Sequence, residues 1–172
     1  MHICILQAIC KILYTNNMQY WLIKSEGECY SIDDLKHDKK TPWEGVRNYQ
    51  ARNFMMNGMK VGDLALFHHS NGNDKSPTGI YGLAKVVSKP HPDLSAQDKK
   101  HEHFDPKATK EKPIWYCVDF AFVKKFKKPL TLKEIKSDDI LKHMVVAQRG
   151  SRLSISPVSE IQYKQVEVLL RD

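Results

Sequence analysis

The most informative stretch of this chain is WEGVRNYQARN, residues 43–53, which combines a tryptophan with two arginines and three amide side chains. A flat heterocyclic ligand needs an aromatic face for stacking and hydrogen-bond donors and acceptors for its edge, and these residue types supply both. An alternative interpretation is purely structural. In that case Trp43 fills the core, and Arg47 and Arg52 are charges on the surface of a helix.

On both sides of this stretch the hydrophobic pattern predicts strands, because β-branched and aromatic residues occur in short runs bounded by turn residues. The predicted strands are residues 20–23, 64–68, 79–87 and 114–123, with a short one at 153–155. Residues 90–113 are polar and have no sustained apolar period, which indicates a long excursion from the core.

Short helices are predicted where capping signals occur between these strands. Ser31 and Thr131 are each followed three residues later by an acidic residue, as in a capping box. A further helix is predicted from Asn48 to Met56, and a final one after Ser156-Pro157, where a cap residue precedes proline. Strands at uneven spacing with short helices between them predict an α+β fold around a small, strongly bent sheet or barrel.

The overall charge indicates an anionic partner. The chain has 172 residues, enough for one ordinary domain, and its 27 Lys and Arg against 20 Asp and Glu give a net charge of +7. A solvated basic surface without a partner is the alternative. No apolar stretch approaches the length of a membrane span, so no membrane partner is expected.

Sequence tests for catalysis and metal binding give no positive sign. None of the four cysteines forms a CxxC pair, and His101-Glu102-His103 lacks a third ligand, so we expect no metal. No phosphate-binding loop, dinucleotide fingerprint or nucleophile elbow occurs, and no cofactor is expected. Free thiols are typical of a reducing compartment, which predicts a cytoplasmic protein, or a nuclear one if the source is eukaryotic.

Together with its flanking motifs, WEGVRNYQARN makes the chain resemble the EVE domain family. The other motifs are YWLIKSE at residues 20–26, MKVGD at 59–63, HSN at 69–71 and Gly150 followed by RLS at 152–154. The resemblance implies a PUA-like fold, a small mixed β-barrel with short helices around it and a C-terminal helix. It extends from about Gln19 to the C-terminus, so we expect residues 18–172 to form the domain and residues 1–17 to be an upstream extension.

The resemblance also implies a function. EVE domains are regarded as non-enzymatic readers of a flipped, modified base in DNA or RNA, with modified cytosine a leading candidate. In this chain Trp43 would stack on the base, and Ser25, Asn48 and Ser70 would bond to its edge. The base pocket expected from the matching motifs consists of Ser25, Trp43, Arg47, Asn48, Tyr49, His69, Ser70, Asn71, Arg152, Leu153 and Ser154. Arg47 and Arg52 are expected to hold backbone phosphates.

Two functions of other classes remain open on the sequence. The first is a single-domain enzyme that acts on a nucleotide or RNA, with His69 as its acid or base. The second is a small-molecule-binding or scaffold protein whose basic surface is incidental. Turnover of a nucleotide would indicate the enzyme, whereas the scaffold predicts no pocket-dependent binding to nucleic acid.

Overall fold

The computed structural model describes residues 18–73 and 75–171, which form eight strands and four α-helices. The strands are β1 (Tyr20–Glu26), β2 (Lys40–Pro42), β3 (Leu64–Ser70), β4 (Gly79–Val86), β5 (His91–Pro92), β6 (Tyr116–Cys117), β7 (Asp119–Thr131) and β8 (Ile155–Val158). The α-helices are α1 (Ile32–Asp38), α2 (Tyr49–Asn53), α3 (Leu132–Ser137) and α4 (Glu160–Leu169). A π-helical turn (Phe54–Gly58) follows α2, and 3-10 turns lie at Leu94–Ala96, Leu141–His143 and Val145–Ala147.

Six of the strands form one mixed sheet in the order β2-β7-β4-β3-β1-β8. β1 and β3 are parallel, and the other neighbours are antiparallel. Register shifts interrupt the pairing of β4 with both β3 and β7, and such bulges bend a sheet. The sheet curls into half a barrel, which confirms the predicted α+β class with a strongly bent sheet. β5 and β6 form a separate two-stranded ribbon.

The two faces of the sheet bury separate apolar clusters, because successive side chains of a strand point to opposite faces. On β1, Trp21 and Ile23 pack into one cluster, and Leu22 packs into the other with Tyr163 and Val166 of α4. The cluster that contains Trp21 also contains the aromatic residues around the candidate site. The candidate site therefore lies on one face of the half-barrel, and α4 covers the opposite face of the sheet.

Local capping chemistry was predicted correctly at two helices and wrongly at a third. Ser31 caps α1 and Thr131 caps α3, each with a complete capping box. The predicted cap at Ser156-Pro157 is wrong: both residues lie in β8, and α4 begins after the capping residue Ser159. Proline is tolerated there because β8 is an edge strand, where a missing N–H need not break the ladder.

The predicted strand at 114–123 is divided in the structure. It becomes the short β6 and the longer β7, with Val118 between them. The predicted helix from Asn48 to Met56 is likewise divided into α2 and the π-helical turn. The expectation that residues 1–17 are an upstream extension falls outside the described residues. Among the helices of residues 18–73 and 75–171, none has the length and apolar character needed to cross a membrane.

Candidate functional site

A cavity of about 470 Å³ opens where the end of β1, β2 and the segment that follows β2 meet the loop at residues 101–103, which is distant in sequence. Its size is typical of small-ligand sites. The residues that line it are Lys24, Ser25, Cys29, Tyr30, Thr41, Pro42, Trp43, Glu44, Gly45, Val46, Arg47, His101, Glu102, His103 and Ser154.

Trp43 belongs both to this cavity and to the core. Its side chain is largely buried, and its ring makes edge contacts with Phe67 and Phe120 at centroid distances of 5.5 and 5.6 Å. The backbone N–H of Trp43 donates to the carbonyl oxygen of Val118 at 2.9 Å. The ligand-stacking and core-filling interpretations of the sequence therefore do not exclude each other, because one side chain can serve both.

Gly45 permits the distant loop to approach the cavity. Its φ of +79° lies in the left-handed region, and a Cβ built at this position would collide with the ring of His103. Its N–H donates to Oδ2 of Asp93 at 2.9 Å. A side chain at position 45 would thus strain the backbone and push residues 101–103 away from the cavity.

Arg47 fastens this loop in place, and all of its donors are bonded within the protein. Its Nη1 donates to Oδ2 of Asp93 at 2.8 Å and to the carbonyl oxygen of Val46 at 3.2 Å. Nε and Nη2 both donate to the carbonyl oxygen of His103, and Nη2 also donates to Oγ of Ser95. A guanidinium has five N–H groups, so these contacts leave Arg47 no free donor for the predicted phosphate contact.

The carboxylate that receives Arg47 is well stabilised. Burial alone would raise the pKa of Asp93, but hydrogen bonds from Ser95, Arg47 and the Gly45 N–H outweigh it and hold that pKa below its usual range. The charged form of Asp93 therefore persists in an almost fully buried position.

The residues that follow Arg47 lie outside the cavity lining. Oδ1 of Asn48 accepts two backbone N–H groups in the first turn of α2 and so caps that helix. Tyr49 stacks on Trp115 at a centroid distance of 4.8 Å, and the guanidinium of Arg52 lies 4.8 Å from the Tyr49 ring. This part of the motif therefore docks the excursion at residues 90–113 through the adjoining Trp115.

The predicted residues at the end of β3 support β1 and α1 rather than line the cavity. His69 is buried, and its Nε2 accepts the N–H of Ile32 at 3.1 Å. Ser70 Oγ donates to the carbonyl oxygen of Ser25 at 3.2 Å, and Asn71 donates to the carboxylate of the next residue in β1. Their hydrogen bonds hold Ser25 at the edge of the cavity.

The structure thus brings together four of the predicted pocket residues at the cavity, and these are Ser25, Trp43, Arg47 and Ser154. The carbonyl oxygen of Ser154 accepts the N–H of Lys24 at 2.8 Å, which places the 152–154 segment beside β1. Arg152 and Leu153 are not among the lining residues.

Several lining residues were not predicted from the sequence. Glu44, Gly45 and Val46 lie within the quoted motif, so their position next to Trp43 was a usable signal. The sequence of residues 101–103 indicates only a polar loop with an incomplete set of metal ligands, and it gives no sign that these residues line a cavity. In the part of the chain that the structure describes, no group of three or more His, Cys, Asp or Glu side chains is arranged to hold a metal ion.

Comparison with known proteins identifies the class of the fold. The family model described as EVE domain matches residues 19–169, so the chain belongs to the EVE domain family, whose PUA-like architecture agrees with the curled sheet and its surrounding helices. It is 41% identical to human thymocyte nuclear protein 1 in an alignment that covers 86% of this chain and 72% of that protein. It is also 41% identical to the chicken (Gallus gallus) protein of the same name, over 84% of this chain and 65% of that protein.

Solved structures of relatives superpose closely. A hypothetical protein from Leishmania major has a TM-score of 0.82 and 48% identity over 89% of this chain and 94% of its own. Human THYN1 protein in complex with DNA containing 5-methylcytosine has a TM-score of 0.82 and 38% identity, over 90% of this chain and 98% of its own.

Proposed function

We propose that this protein is a non-enzymatic module that binds nucleic acid and receives a flipped, modified base in the cavity beside Trp43. The observation that carries the proposal is the similarity of nearly the whole domain to a human protein solved with DNA containing 5-methylcytosine. That modified base is therefore the first candidate ligand for this chain.

The cavity supplies the two kinds of contact that base recognition needs. Trp43 offers an aromatic wall, and stacking on such a wall is worth about 1–3 kcal/mol per base. Ser25 and Ser154 lie on the cavity lining and offer hydroxyl groups to the edge of the base.

Phosphate contacts would come from groups outside the cavity. Arg52 uses three of its five N–H groups within the protein, so it retains donors for a phosphate. Tyr49 is 57% exposed beside it and offers a ring to a flanking nucleotide. The net charge of +7 adds a general attraction for nucleic acid. Because the relatives are named nuclear proteins, we propose a nuclear location if the source is eukaryotic.

The enzyme alternative receives no support from the position of His69. That residue lies outside the cavity lining, and its Nε2 already accepts a backbone N–H. Burial also lowers its pKa, which makes it a weaker base.

The test is binding of the full chain to matched oligonucleotides at several salt concentrations. Fluorescence anisotropy would compare single-stranded DNA, duplex DNA and RNA that carry one 5-methylcytosine or one cytosine at the same position. We expect tighter binding to a methylated member, with affinity that falls as salt rises. Equal affinity for modified and plain bases in all three contexts would contradict the proposal, and cleavage or conversion of the oligonucleotide would show an enzyme.

A further inference from the structure

The polar groups of the cavity differ in whether they are already bonded within the protein. Arg47 has no free donor, and the carboxylate of Glu102 lies 3.5 Å from Nε2 of His103. The carboxylate of Glu44 has neither a hydrogen bond nor an ion pair with any residue in 18–73 or 75–171. A carboxylate only accepts hydrogen bonds, so the cavity presents an uncommitted acceptor next to Trp43.

Hydrogen bonds fix the backbone on both sides of Glu44. The backbone N–H of Trp43 donates to the carbonyl oxygen of Val118, and the backbone N–H of Gly45 donates to the buried carboxylate of Asp93, each at 2.9 Å. The ring of His103 lies so close to Gly45 that a Cβ at this position would collide with it. Because the backbone is already fixed, only the side chain of Glu44 has to be ordered when a ligand binds, which limits the entropy cost of recognition.

The chemistry of an acceptor in a base pocket determines which bases can enter. Cytosine and 5-methylcytosine carry an amino group at position 4, whereas uracil and thymine carry a carbonyl oxygen there. 5-Methylcytosine and thymine share the methyl group on C5, so contact with that methyl cannot distinguish them. A carboxylate can, because it accepts from the amino group and faces the carbonyl oxygen as a second unpaired acceptor.

We propose that Glu44 accepts a hydrogen bond from the exocyclic amino group of the bound base and thereby selects cytosine-type bases over thymine and uracil. This inference rests on the function proposed above and names the class of base that the cavity takes. Glu44 is a specificity-determining residue of the same site, and Trp43 supplies the face on which the base stacks.

The experiment uses four single-stranded oligonucleotides that are identical except for one base, which is cytosine, 5-methylcytosine, uracil or thymine. Single strands avoid differences in the cost of opening a base pair. The affinity ratios of cytosine to uracil and of 5-methylcytosine to thymine, called the amino ratios below, measure the exchange of the amino group for a carbonyl oxygen together with the N3–H that accompanies the carbonyl. The ratios within the other two pairs measure the methyl group.

We expect the full-length wild-type protein to favour the amino-bearing member of each pair by about tenfold or more. In Glu44→Gln both amino ratios should fall to about twofold or less, because an amide can accept from an amino group or donate to a carbonyl. The methyl ratios should stay unchanged. Glu44 is exposed, so its substitution should leave the melting temperature intact, and Glu28→Gln, at an exposed glutamate outside the cavity lining, is the matched control that should keep the amino ratios.

The outcomes separate this inference from the function on which it rests. Wild-type methyl ratios above one with amino ratios of one would overturn the role of Glu44 and leave the modified-base function standing. Amino ratios that survive in Glu44→Gln would show that another group recognises the amine. Failure of the wild-type protein to bind any of the four strands, together with equal affinity for modified and plain bases in duplex DNA and in RNA, would remove both proposals.

Discussion

Arg47 and Asp93 form an ion pair with an Nη1–Oδ2 distance of 2.8 Å, and the side chain of Asp93 in this pair is only 1% exposed. The pair joins the motif at residues 43–53 to the excursion at residues 90–113. Because the same guanidinium also holds the backbone of His103, one side chain sets the distance between the two walls of the cavity.

Replacing Arg47 by lysine tests this positioning role. An ammonium keeps the charge but cannot reach all of the acceptors of the guanidinium, so we expect Arg47→Lys to lower the free energy of unfolding by about 1–3 kcal/mol. Hydrogen exchange should quicken at residues 101–103, and selectivity among bases should fall. Arg52→Lys, which leaves the loop's ion pair intact, is the control.

A purely phosphate-binding role for Arg47 predicts a different result. Lysine serves a phosphate as a point charge, so Arg47→Lys would then keep both selectivity and hydrogen-exchange protection of the loop. Such a result would contradict the positioning role.

Trp43 is predicted to be needed for both stability and selectivity. Trp43→Ala should cost about 3–5 kcal/mol, because it opens a large void between Phe67 and Phe120. Trp43→Phe should keep the fold while reducing the preference for a modified base, because the smaller ring offers less area for stacking. Chemical denaturation and the oligonucleotide titration measure the two effects.

Trp21→Phe provides the matched control for that experiment. Trp21 lies in the same cluster but outside the cavity lining, and its Nε1 donates to Asp63 at 3.1 Å. Trp21→Phe removes this hydrogen bond, so it should lower the free energy of unfolding and leave the selectivity among bases intact. If Trp43→Phe binds with unaltered selectivity, Trp43 is a core residue only.

His68 is predicted to make stability depend on pH. The residue is 1% exposed, and burial, reinforced by the charge of Lys24 in the paired strand, lowers its pKa to about 3. In the unfolded chain His68 takes up a proton near pH 6.5, whereas in the folded protein it does so only near pH 3. The free energy of unfolding is therefore highest above pH 6.5 and decreases as the pH falls toward 3. At pH 5 the loss is about 2 kcal/mol.

His68→Leu should flatten this dependence. Free energies of unfolding at pH 7.5 and pH 5 would be compared for the variant and the wild type, since all other titrating groups are common to both. An equal drop in the two proteins would show that His68 is not responsible.

The features that the sequence predicted best are those fixed by neighbouring residues. The capping boxes at Ser31 and Thr131 act over three residues, so the local pattern was sufficient. Ser156-Pro157 carried an equally good local signal for a helix start, but pairing of this segment with β1 overrides it. Local propensity is a weak guide where a strand partner is available elsewhere in the chain.

The candidate site shows the same limit. Trp43 and Ser25 could be placed by motif. The wall at residues 101–103 depends instead on contacts of Arg47 with Asp93 and His103, which lie 46 and 56 positions further along the chain. Nothing in the composition of that loop predicts where it docks. Conversely, membership of the motif did not distinguish Glu44, which lines the cavity, from Tyr49, which lies outside it and stacks on Trp115.

The domain boundary gives a further prediction. The family match begins at residue 19, so a chain that starts at Met18 should fold and melt like the full chain. Differential scanning calorimetry of the two proteins measures this. A large fall in the melting temperature of the shorter protein would mean that residues 1–17 contribute to the domain.

The pairing of β8 with β1 has a consequence for biosynthesis. β1 lies near the N-terminal end of the domain, and its antiparallel partner is the last strand of the sheet. On the ribosome, β1 therefore emerges long before the strand that covers its outer edge, and that edge stays open until β8 has also left the ribosome. An open strand edge can pair with other chains, so ribosome-bound fragments that end before β8 should need chaperones more than the finished protein does.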